Sequence, residues 1–253
     1  LDSNGQSCRF TMVNDIHQDD AKYRKLMEGV SSDNTDFIVL NGDIVSAARS
    51  ADTVIKHTFM PIAEQVANIP VVFARGNHES RGEDFYKLPA LFPTPTGEFY
   101  YTFRQGPVAF VVLDAGEDKP DSDVEYSGTA DFDRYREAEA QWLKQAVKDP
   151  KFASAKYKVA IIHIPTIDEH DSWYGQKEAA RLFLNTLNEA GVDLMLSGHL
   201  HKYLVREKGS AENNFPIVVN SNTERLDFEA DQNGMKLRIY DMDGKLVHKH
   251  EYR

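Results

Sequence analysis

Five short segments of the chain place side chains that bind metal ions or transfer protons where apolar runs end. Their sequences are VNDIHQ, LNGDIV, ARGNHES, AIIHIP and LSGHLHKY. The candidate ligands within them are Asp15, His17, Asp43, Asn77, His163, His199 and His201. Imidazole nitrogens combined with carboxylate and amide oxygens suit Zn, Mn, Fe or Co, and no thiolate is present for a softer metal. Seven donors exceed what one tetrahedral ion needs, so the set predicts two ions that share a carboxylate.

Each segment also has a plain structural explanation when it is considered alone. Asp15 and His17 could be a turn aspartate and a surface histidine. Asp43 could cap a helix, the GNHES segment could be a polar turn, and His163 could be a core histidine bonded to a carbonyl. The GHLH segment is harder to explain in this way. Because all five segments follow apolar runs, a common metal site is the preferred interpretation.

The elements predicted around these segments would bring them together. The runs CRFTMV, DFIVL, IPVVFA, YKVAIIHI and VDLMLSGH predict buried strands. DDAKYRKLMEGV and residues 51–68 have apolar positions at helical spacing. This alternation is typical of a largely parallel sheet covered by helices. In such sheets, ligands bind beyond the carboxyl ends of the strands, which is where the five segments would converge.

The middle and the end of the chain follow a different pattern. GEFYYTFRQGPVAFVVLD predicts two antiparallel strands, and the acidic stretch 116–131 predicts a surface loop. DRYREAEAQWLKQAVKD predicts a helix with Trp142 and Leu143 inward. GQKEAARLFLNTLNEAGV predicts another helix that ends at Gly191. PIVVNS predicts a short strand, and Asp243-Gly244 predicts the turn of a last hairpin.

The composition bounds the class of protein. The 253 residues are 41% hydrophobic and 27% charged, which is ordinary for a globular protein. They contain no repeat or linker, so we predict one domain over residues 1–253. A net charge of -11 disfavours long nucleic acids and anionic membranes. It does not disfavour a small phosphorylated substrate, because bound metal ions reverse the local field.

Targeting and compartment are less defined by the sequence. No apolar run approaches the roughly 18 residues of a transmembrane helix. Cys8 is the only cysteine, so an intrachain disulfide is excluded, and this fits a reducing compartment without requiring one. The polar start LDSNGQS fits a mature N-terminus or a trimmed one. Both alternatives stay open, as does the oligomeric state.

The ordered pattern D-x-H, G-D, G-N-H-E, H, G-H-x-H resembles the calcineurin-like metallophosphoesterase superfamily from Asp15 to His201. IIHIPTIDEHDSWYG and LMLSGHLHKY make the chain similar to its purple acid phosphatase-like branch. Two positions depart from that branch: Ser46 stands at its tyrosine ligand, and Asp15-Ile16-His17 replaces its D-x-G. We therefore expect no purple Fe(III) colour and a pair of Mn, Fe or Zn ions.

The resemblance implies a fold and a location. The fold is a four-layer α-β-β-α sandwich of two mixed sheets flanked by helices, and we expect the later strands to build the second sheet. Because members of the branch are often exported, the resemblance points to the periplasm or the cell surface.

The resemblance also implies a role for each site residue. Asp15, His17 and His201 would hold the first ion, Asn77, His163 and His199 the second, and Asp43 would bridge both. A hydroxide shared by the ions would attack phosphorus in line, and His78 would protonate the leaving oxygen. The expected activity is hydrolysis of phosphoric mono- or diesters.

Several side chains near the motifs have two interpretations. Arg75 could contact the substrate phosphate or form a salt bridge with a nearby acid. His170 could line the substrate pocket or lie on the surface, and Trp173 and Tyr174 could form its rim or pack a loop. Glu79 could orient His78 or face solvent. Two other functions remain: a non-catalytic metal-bearing scaffold that binds a protein, and a mononuclear hydrolase of another bond, such as an amide.

Overall fold

Two six-stranded β-sheets form the centre of the protein. A computed structural model describes residues 3–210 and 212–253. The first sheet contains β1 (Cys8–Val13), β2 (Phe37–Asn41), β3 (Val71–Ala74), β10 (Glu224–Ala230), β11 (Met235–Asp241) and β12 (Leu246–Tyr252). The second contains β4 (Tyr101–Gln105), β5 (Val108–Leu113), β6 (Tyr157–Ile162), β7 (Leu194–Ser197), β8 (Leu204–Arg206) and β9 (Ile217–Val219). Each sheet mixes parallel and antiparallel neighbours.

Helices cover the outer faces of both sheets. They are α1 (Asp20–Leu26), α2 (Ala51–Thr58), α3 (Ala63–Val66), α4 (Leu88–Leu91), α5 (Phe132–Ala146), α6 (Pro150–Ala153) and α7 (Tyr174–Ala190). Short 3-10 turns span Met60–Ile62, His78–Ser80, Phe85–Lys87 and Val124–Tyr126. Apolar residues of α1 to α4 pack on the first sheet, and those of α5 to α7 pack on the second. The predicted α/β four-layer sandwich is therefore confirmed.

Aromatic rings join the two sheets in the core between them. Phe10 of β1 stacks on Phe228 of β10 with ring centroids 4.6 Å apart, and on Phe37 of β2 at 5.1 Å. Its edge meets Phe110 of β5, in the opposite sheet, at 5.7 Å. Such ring pairs contribute about 0.5–1.5 kcal/mol each beyond the burial of their area. They hold the two sheets in register beneath the loops that carry the candidate site.

The last three strands return to the first sheet, so the expectation that the later strands build the second sheet is wrong for them. The order of the first sheet is β12-β11-β10-β1-β2-β3, and β10 pairs antiparallel with β1. Of the later strands, β8 and β9 do join the second sheet. The sequence analysis missed β10 because charged residues alternate along ERLDFEA. The residues between them, Leu226, Phe228 and Ala230, point into the core.

Local signals in the sequence predicted most element ends. The helical pattern over 51–68 is divided by the turn Met60–Ile62, where Pro61 has no backbone N–H to continue the helix. In α5, Leu143 is buried as predicted, whereas Trp142 is only half-buried. Helix α7 ends at Gly191, which adopts a left-handed conformation with φ of 68° and donates to two carbonyls of the last turn.

The predicted single domain over residues 1–253 stays a prediction, and residues 1, 2 and 211 lie outside the described part of the chain. Buried residues of both sheets share one apolar cluster. Among the described helices, none is both long enough and apolar enough to cross a bilayer.

Replacing Gly191 with alanine is expected to lower the free energy of unfolding by about 1 kcal/mol, because a residue with a Cβ is strained in the left-handed region. The nearest atom to an added Cβ is Lys158 Nζ at 3.9 Å, so the backbone strain is measured alone. Urea denaturation gives the value. Gly191→Asn should recover most of the loss, and an alanine variant as stable as the parent would contradict the assigned conformation.

Candidate metal centre

The loops that follow five strands converge at one edge of the sandwich. Asp15 and His17 follow β1, Asp43 follows β2, and Asn77 and His78 follow β3, all in the first sheet. The second sheet supplies His163 after β6, and His199 and His201 after β7. The candidate ligands therefore meet between the carboxyl ends of parallel strands from both sheets, as the sequence analysis expected.

The donor atoms of the aspartates and histidines lie within a few ångströms of their neighbours in the cluster. His201 Nε2 is 3.2 Å from Asp15 Oδ1, and the two ring nitrogens of His17 and His201 are 3.3 Å apart. His163 Nε2 lies 3.1 Å from Asp43 Oδ2 and 3.8 Å from Asp15 Oδ1. Three overlapping groups could hold a metal ion: Asp15, His17 and His201; Asp43, His163 and His199; and His17, Asp43 and His78.

Asp43 lies between the first two of these groups. Its Oδ2 is 3.1 Å from His163 Nε2 on one side and 3.8 Å from His17 Nε2 on the other. The bridging role that the resemblance implies for Asp43 stays a prediction, with which this position is compatible.

Three buried donor atoms in this cluster have no hydrogen-bond partner among the described residues. They are Asp15 Oδ1, Asn77 Oδ1 and His163 Nε2. A buried polar atom left without a partner costs about 1–3 kcal/mol, and more when it is charged. A cation would provide the missing partner for all three, so the donor set fits the metal ions that the sequence predicts.

The other face of each donor group is fixed by the protein. Asp15 Oδ2 accepts hydrogen bonds from Asn14 Nδ2 at 2.7 Å and from the backbone N–H of His199 at 2.8 Å. Asp43 Oδ1 accepts from the backbone N–H of His78 at 2.9 Å. His163 Nδ1 donates to the carbonyl of Asn41 at 2.7 Å, which turns Nε2 toward the cluster, where it would bind a metal ion once deprotonated. Such outer contacts orient metal ligands and tune their basicity.

The backbone of the cluster is strained. Five candidate ligands have left-handed conformations, with φ between 52° and 71°, although none of them is a glycine: Asp15, His17, Asp43, His199 and His201. Each such conformation costs roughly 1–3 kcal/mol and persists only where the surroundings enforce it. Hydrogen bonds enforce it here, since the N–H groups of Asp15 and His17 donate to the carbonyls of Gly42 and Asp43.

Gly42 is required by both conformation and space. Its φ is 78°, and a Cβ there would lie 2.4 Å from His163 Nδ1. The loop after β2 can therefore approach the histidine from the opposite sheet only because this residue has no side chain.

Glu79 is the residue whose role the sequence analysis missed. Rather than orienting His78 or facing solvent, its fully buried carboxylate accepts backbone hydrogen bonds at 2.7–3.2 Å from Asp43, Ile44, Val45 and Gly76. These bonds tie the loop after β3 to the loop after β2. Burial, together with the charge of Asp43, raises the pKa of Glu79 to about 7. The four N–H groups are what make a second carboxylate beside Asp43 tolerable.

The charges of the cluster compensate one another. Burial would raise the pKa of Asp43, but His163 lowers it well below its usual range. Burial would lower the pKa of His163, but Asp43 and Asp15 raise it to about 10. His199 has a pKa of about 4 because of burial and the neighbouring charge of His163. A dication would take over the compensation that protonated His163 provides, so metal binding should release a proton.

His78 is held beside the cluster in one tautomer. Its Nδ1 lies 2.9 Å from the carbonyl of Ser46, and its Nε2 lies 3.3 Å from Nη1 of Arg81. A carbonyl can only accept and a guanidinium can only donate, so Nδ1 carries the hydrogen and Nε2 is the lone pair. The ring meets the His17 ring edge-on, with centroids 4.6 Å apart.

The two predicted substrate contacts lie outside the cluster. The buried guanidinium of Arg75 forms an ion pair with Asp114 at 2.6 Å and packs against the Phe99 ring. That is the salt bridge of the sequence analysis, and a phosphate contact by Arg75 stays a prediction that this placement does not favour. His170 is exposed in the loop before α7, and its contact with substrate also stays a prediction.

Part of the acidic stretch 116–131 is buried, contrary to the expectation of a surface loop. Glu117 and Asp118 are 2% and 8% exposed, and Glu117 binds Arg81. The only sequence signal for this contact is the position of Arg81, three residues after His78.

Comparisons with known proteins agree with this geometry. The calcineurin-like phosphoesterase family matches residues 8–203. The human serine/threonine-protein phosphatase CPPED1 is 24% identical over 225 residues, which cover 85% of this chain and 67% of the human protein. Purple acid phosphatase 23 of Arabidopsis thaliana is 26% identical over 171 residues, which cover 60% of this chain and 34% of the plant protein.

Solved structures of low sequence identity share the fold. The purple acid phosphatase PPD1 from yellow lupin seeds has a TM-score of 0.71 at 12% identity, covering 99% of this chain and 54% of the lupin chain. GAP50, described as the anchor in the inner membrane complex of Plasmodium, has a TM-score of 0.65 at 15% identity, covering 98% of this chain and 89% of that chain.

The chain belongs to the calcineurin-like phosphoesterase family. With its phosphatase relatives and its candidate metal ligands, it is a metallophosphoesterase, and the resemblance to the purple acid phosphatase-like branch is confirmed.

Glu79→Gln is expected to weaken metal binding by about 10–100-fold, as changes behind metal ligands typically do. The amide would turn an N–H₂ group toward backbone N–H donors that hold Asp43. The free energy of unfolding without metal should also fall, by about 1–3 kcal/mol, because buried backbone N–H groups lose an acceptor. Calorimetric titration with Mn²⁺ measures the effect, and Glu229→Gln, in a surface ion pair with Arg238, is the control. Unchanged metal affinity in Glu79→Gln would contradict this role.

Adding Mn²⁺ or Zn²⁺ to the metal-free protein is expected to raise its melting temperature. A ligand that binds only the folded state adds about 2.7 kcal/mol to the free energy of unfolding at 100 times its Kd. Asp43→Asn should remove most of this gain. The control is Asp227→Asn, which changes a carboxylate of β10 that bonds to Thr11. This variant should keep the metal-dependent rise in melting temperature. An equal gain in both variants would show that metal binds elsewhere.

Proposed function

We propose that the protein hydrolyses phosphoric esters at a dinuclear metal centre formed by the converging loops. The observation that carries the proposal is the set of buried donor atoms without partners, Asp15 Oδ1, Asn77 Oδ1 and His163 Nε2. Of these, His163 Nε2 lies 3.1 Å from the carboxylate of Asp43, and Asp15 Oδ1 lies 3.2 Å from the imidazole of His201. Loops that only packed together would satisfy such buried atoms with hydrogen bonds, and these three atoms have none within the described part of the chain.

The ligand assignment is the one that the resemblance implies, and two of the three groups of close donors are compatible with it. Asp15, His17 and His201 would hold one ion, Asn77, His163 and His199 the other, and Asp43 would bridge the two. Bound ions supply a nucleophilic hydroxide near neutral pH and neutralise charge on the phosphoryl oxygens. The nitrogen and oxygen donors suit Mn, Fe or Zn. Ser46, at the position of the tyrosine ligand of purple acid phosphatases, has its hydroxyl 3.4 Å from the carbonyl of His17, which supports a site without tyrosinate.

His78 is suited to proton transfer because its ring has one free nitrogen at the edge of the site. The Nδ1–H group is held by the Ser46 carbonyl, so a transferred proton would be carried by Nε2. As a general acid, His78 would first take a proton from water on Nε2 and then give that proton to the oxygen of the leaving group. Its neighbours keep it in place for that role, since its own backbone N–H binds Asp43.

The substrate class follows from the family and the relatives. Serine/threonine-protein phosphatase and purple acid phosphatase are the names of the similar proteins, and phosphoric monoesters are the substrates that we propose here. The fold alone does not require an enzyme, because a protein described as an anchor shares it. The non-catalytic scaffold is therefore the alternative to be tested.

Elemental analysis of the purified protein together with a panel of phosphoric mono- and diesters tests the proposal. We expect two metal ions for each chain and hydrolysis that depends on them. Two ions without hydrolysis of any ester would support the scaffold, and one ion for each chain would contradict the dinuclear centre.

His78→Ala is expected to lower kcat by about 10²–10⁴-fold, the usual contribution of a general acid. The metal content should stay at the value of the parent protein, because the other donors are intact. Steady-state kinetics on an ester with a poor leaving group measures the loss, which should shrink with a good leaving group. The control is His57→Ala, which removes a histidine of α2 that is bonded to Asp20 of α1. Full activity in His78→Ala would show that His78 is not the general acid.

A further inference from the structure

Arg81 is a fixed guanidinium at the edge of the metal centre. It follows the 3-10 turn His78–Ser80, and its Nε and Nη2 donate to Glu117 Oε1 and Oε2 at 2.9 and 2.8 Å. Glu117 is only 2% exposed and also accepts from Ser80 Oγ at 2.9 Å and from the Tyr126 hydroxyl at 3.0 Å. A bidentate pair with a buried, fully bonded carboxylate holds the guanidinium in one plane.

The remaining nitrogen of Arg81 points toward the site. Nη1 lies 3.3 Å from His78 Nε2, the atom that we propose for proton transfer. The arginine also lines a cavity of about 590 Å³ whose wall includes Phe85, Tyr126 and Phe132. Because Nη1 contacts His78, a phosphoryl group bound at the metal centre could reach it.

The chemistry of Nη1 favours one class of ester. Because Glu117 compensates the charge of Arg81, the arginine acts mainly as an oriented donor rather than as a free cation. A phosphoric monoester has three terminal oxygens that share up to two negative charges, whereas a diester has two that share one. A fixed donor next to the metal ions therefore gains a stronger hydrogen bond from a monoester.

We infer that Arg81 is a specificity-determining residue that donates from Nη1 to a terminal phosphoryl oxygen and thereby favours monoesters over diesters. Glu117 is the positioning residue that keeps Nη1 turned toward the site. This inference rests on the proposed phosphoesterase function and adds a substrate contact from a residue outside the metal ligands.

The test compares Arg81→Gln with the parent protein on p-nitrophenyl phosphate and on bis(p-nitrophenyl) phosphate. We expect kcat/KM for the monoester to fall about 10–100-fold and that for the diester to fall less than about 3-fold, with metal content unchanged. Arg81→Lys should recover only part of the loss, because an ammonium cannot bind Glu117 through two parallel bonds. Arg181→Gln, which removes an arginine paired with Glu178 on the exposed face of α7, is the control. Equal losses for both esters, or none, would overturn the inference.

Two further measurements separate a substrate contact from a structural role. Guanidinium ions at millimolar concentration should restore part of the monoesterase activity of Arg81→Ala, and a merely structural arginine would not respond in this way. Glu117→Gln should raise KM for the monoester more than it lowers kcat.

Calorimetric binding of inorganic phosphate to the metal-loaded protein is independent of turnover. The affinity for inorganic phosphate should be about 10-fold weaker, or more, in Arg81→Gln. If the parent protein hydrolyses neither ester, the proposed function fails, and this binding comparison still decides the role of Arg81. Equal phosphate affinity in the parent and the variant would exclude the contact.

Discussion

The buried carboxylate of Glu79 is the interaction on which the candidate centre depends. It binds four backbone N–H groups from the two loops that follow β2 and β3. One of these groups belongs to Asp43, and Asp43 in turn accepts from the backbone of His78 through Oδ1. The two loops thus hold each other through their own carboxylates. These hydrogen bonds therefore fix the positions of Asp43 and of the loop that carries His78.

The hydrogen bonds between these two loops also explain how a carboxylate can lie at the end of a buried strand. Asp43 is buried and has a left-handed backbone, two conditions that each cost free energy. Its Oδ1 is satisfied by the protein, and its Oδ2 is left facing the imidazole of His163. Asp15 repeats the arrangement, with Oδ2 bonded and Oδ1 free. Each carboxylate is thereby divided into one oxygen that fixes its position and one that can bind a cation.

Local patterns in the sequence were sufficient to predict most strands and the convergence of the candidate metal ligands. Strand-end motifs identify the donors because parallel strands end at a common edge, so convergence follows from topology. The sequence did not predict which sheet β10 to β12 join. The alternation of apolar and polar residues identifies the buried face of a strand but not the strands beside it. Phe228 could pack in the core of either sheet, and the pairing of β10 with β1 is set by contacts more than 200 residues apart in sequence.

The residues that surround the donors were harder to predict for the same reason. Glu79 adjoins His78 in sequence, yet its partners are backbone groups of another loop, which carry no side-chain signature. Arg75 and Arg81 flank the same motif. Because both are arginines, the sequence does not show which guanidinium forms only internal contacts and which can contact a substrate. The structure distinguishes them by their contacts: Arg75 pairs with Asp114 among aromatic rings, whereas Nη1 of Arg81 lies 3.3 Å from His78 Nε2.

The overall charge of the chain constrains how an anionic substrate can be recognised. A net charge of -11 repels phosphate esters at long range, but at physiological ionic strength such fields decay over about 8 Å. Recognition must then come from short-range contacts: the metal ions, once bound, and donors fixed beside them. Glu117 and Asp118 add negative charge near Arg81, so a free lysine there would be attracted away from the substrate. A planar guanidinium keeps one nitrogen for the substrate while two others bind the carboxylate, and this geometry explains why an arginine suits an acidic surrounding.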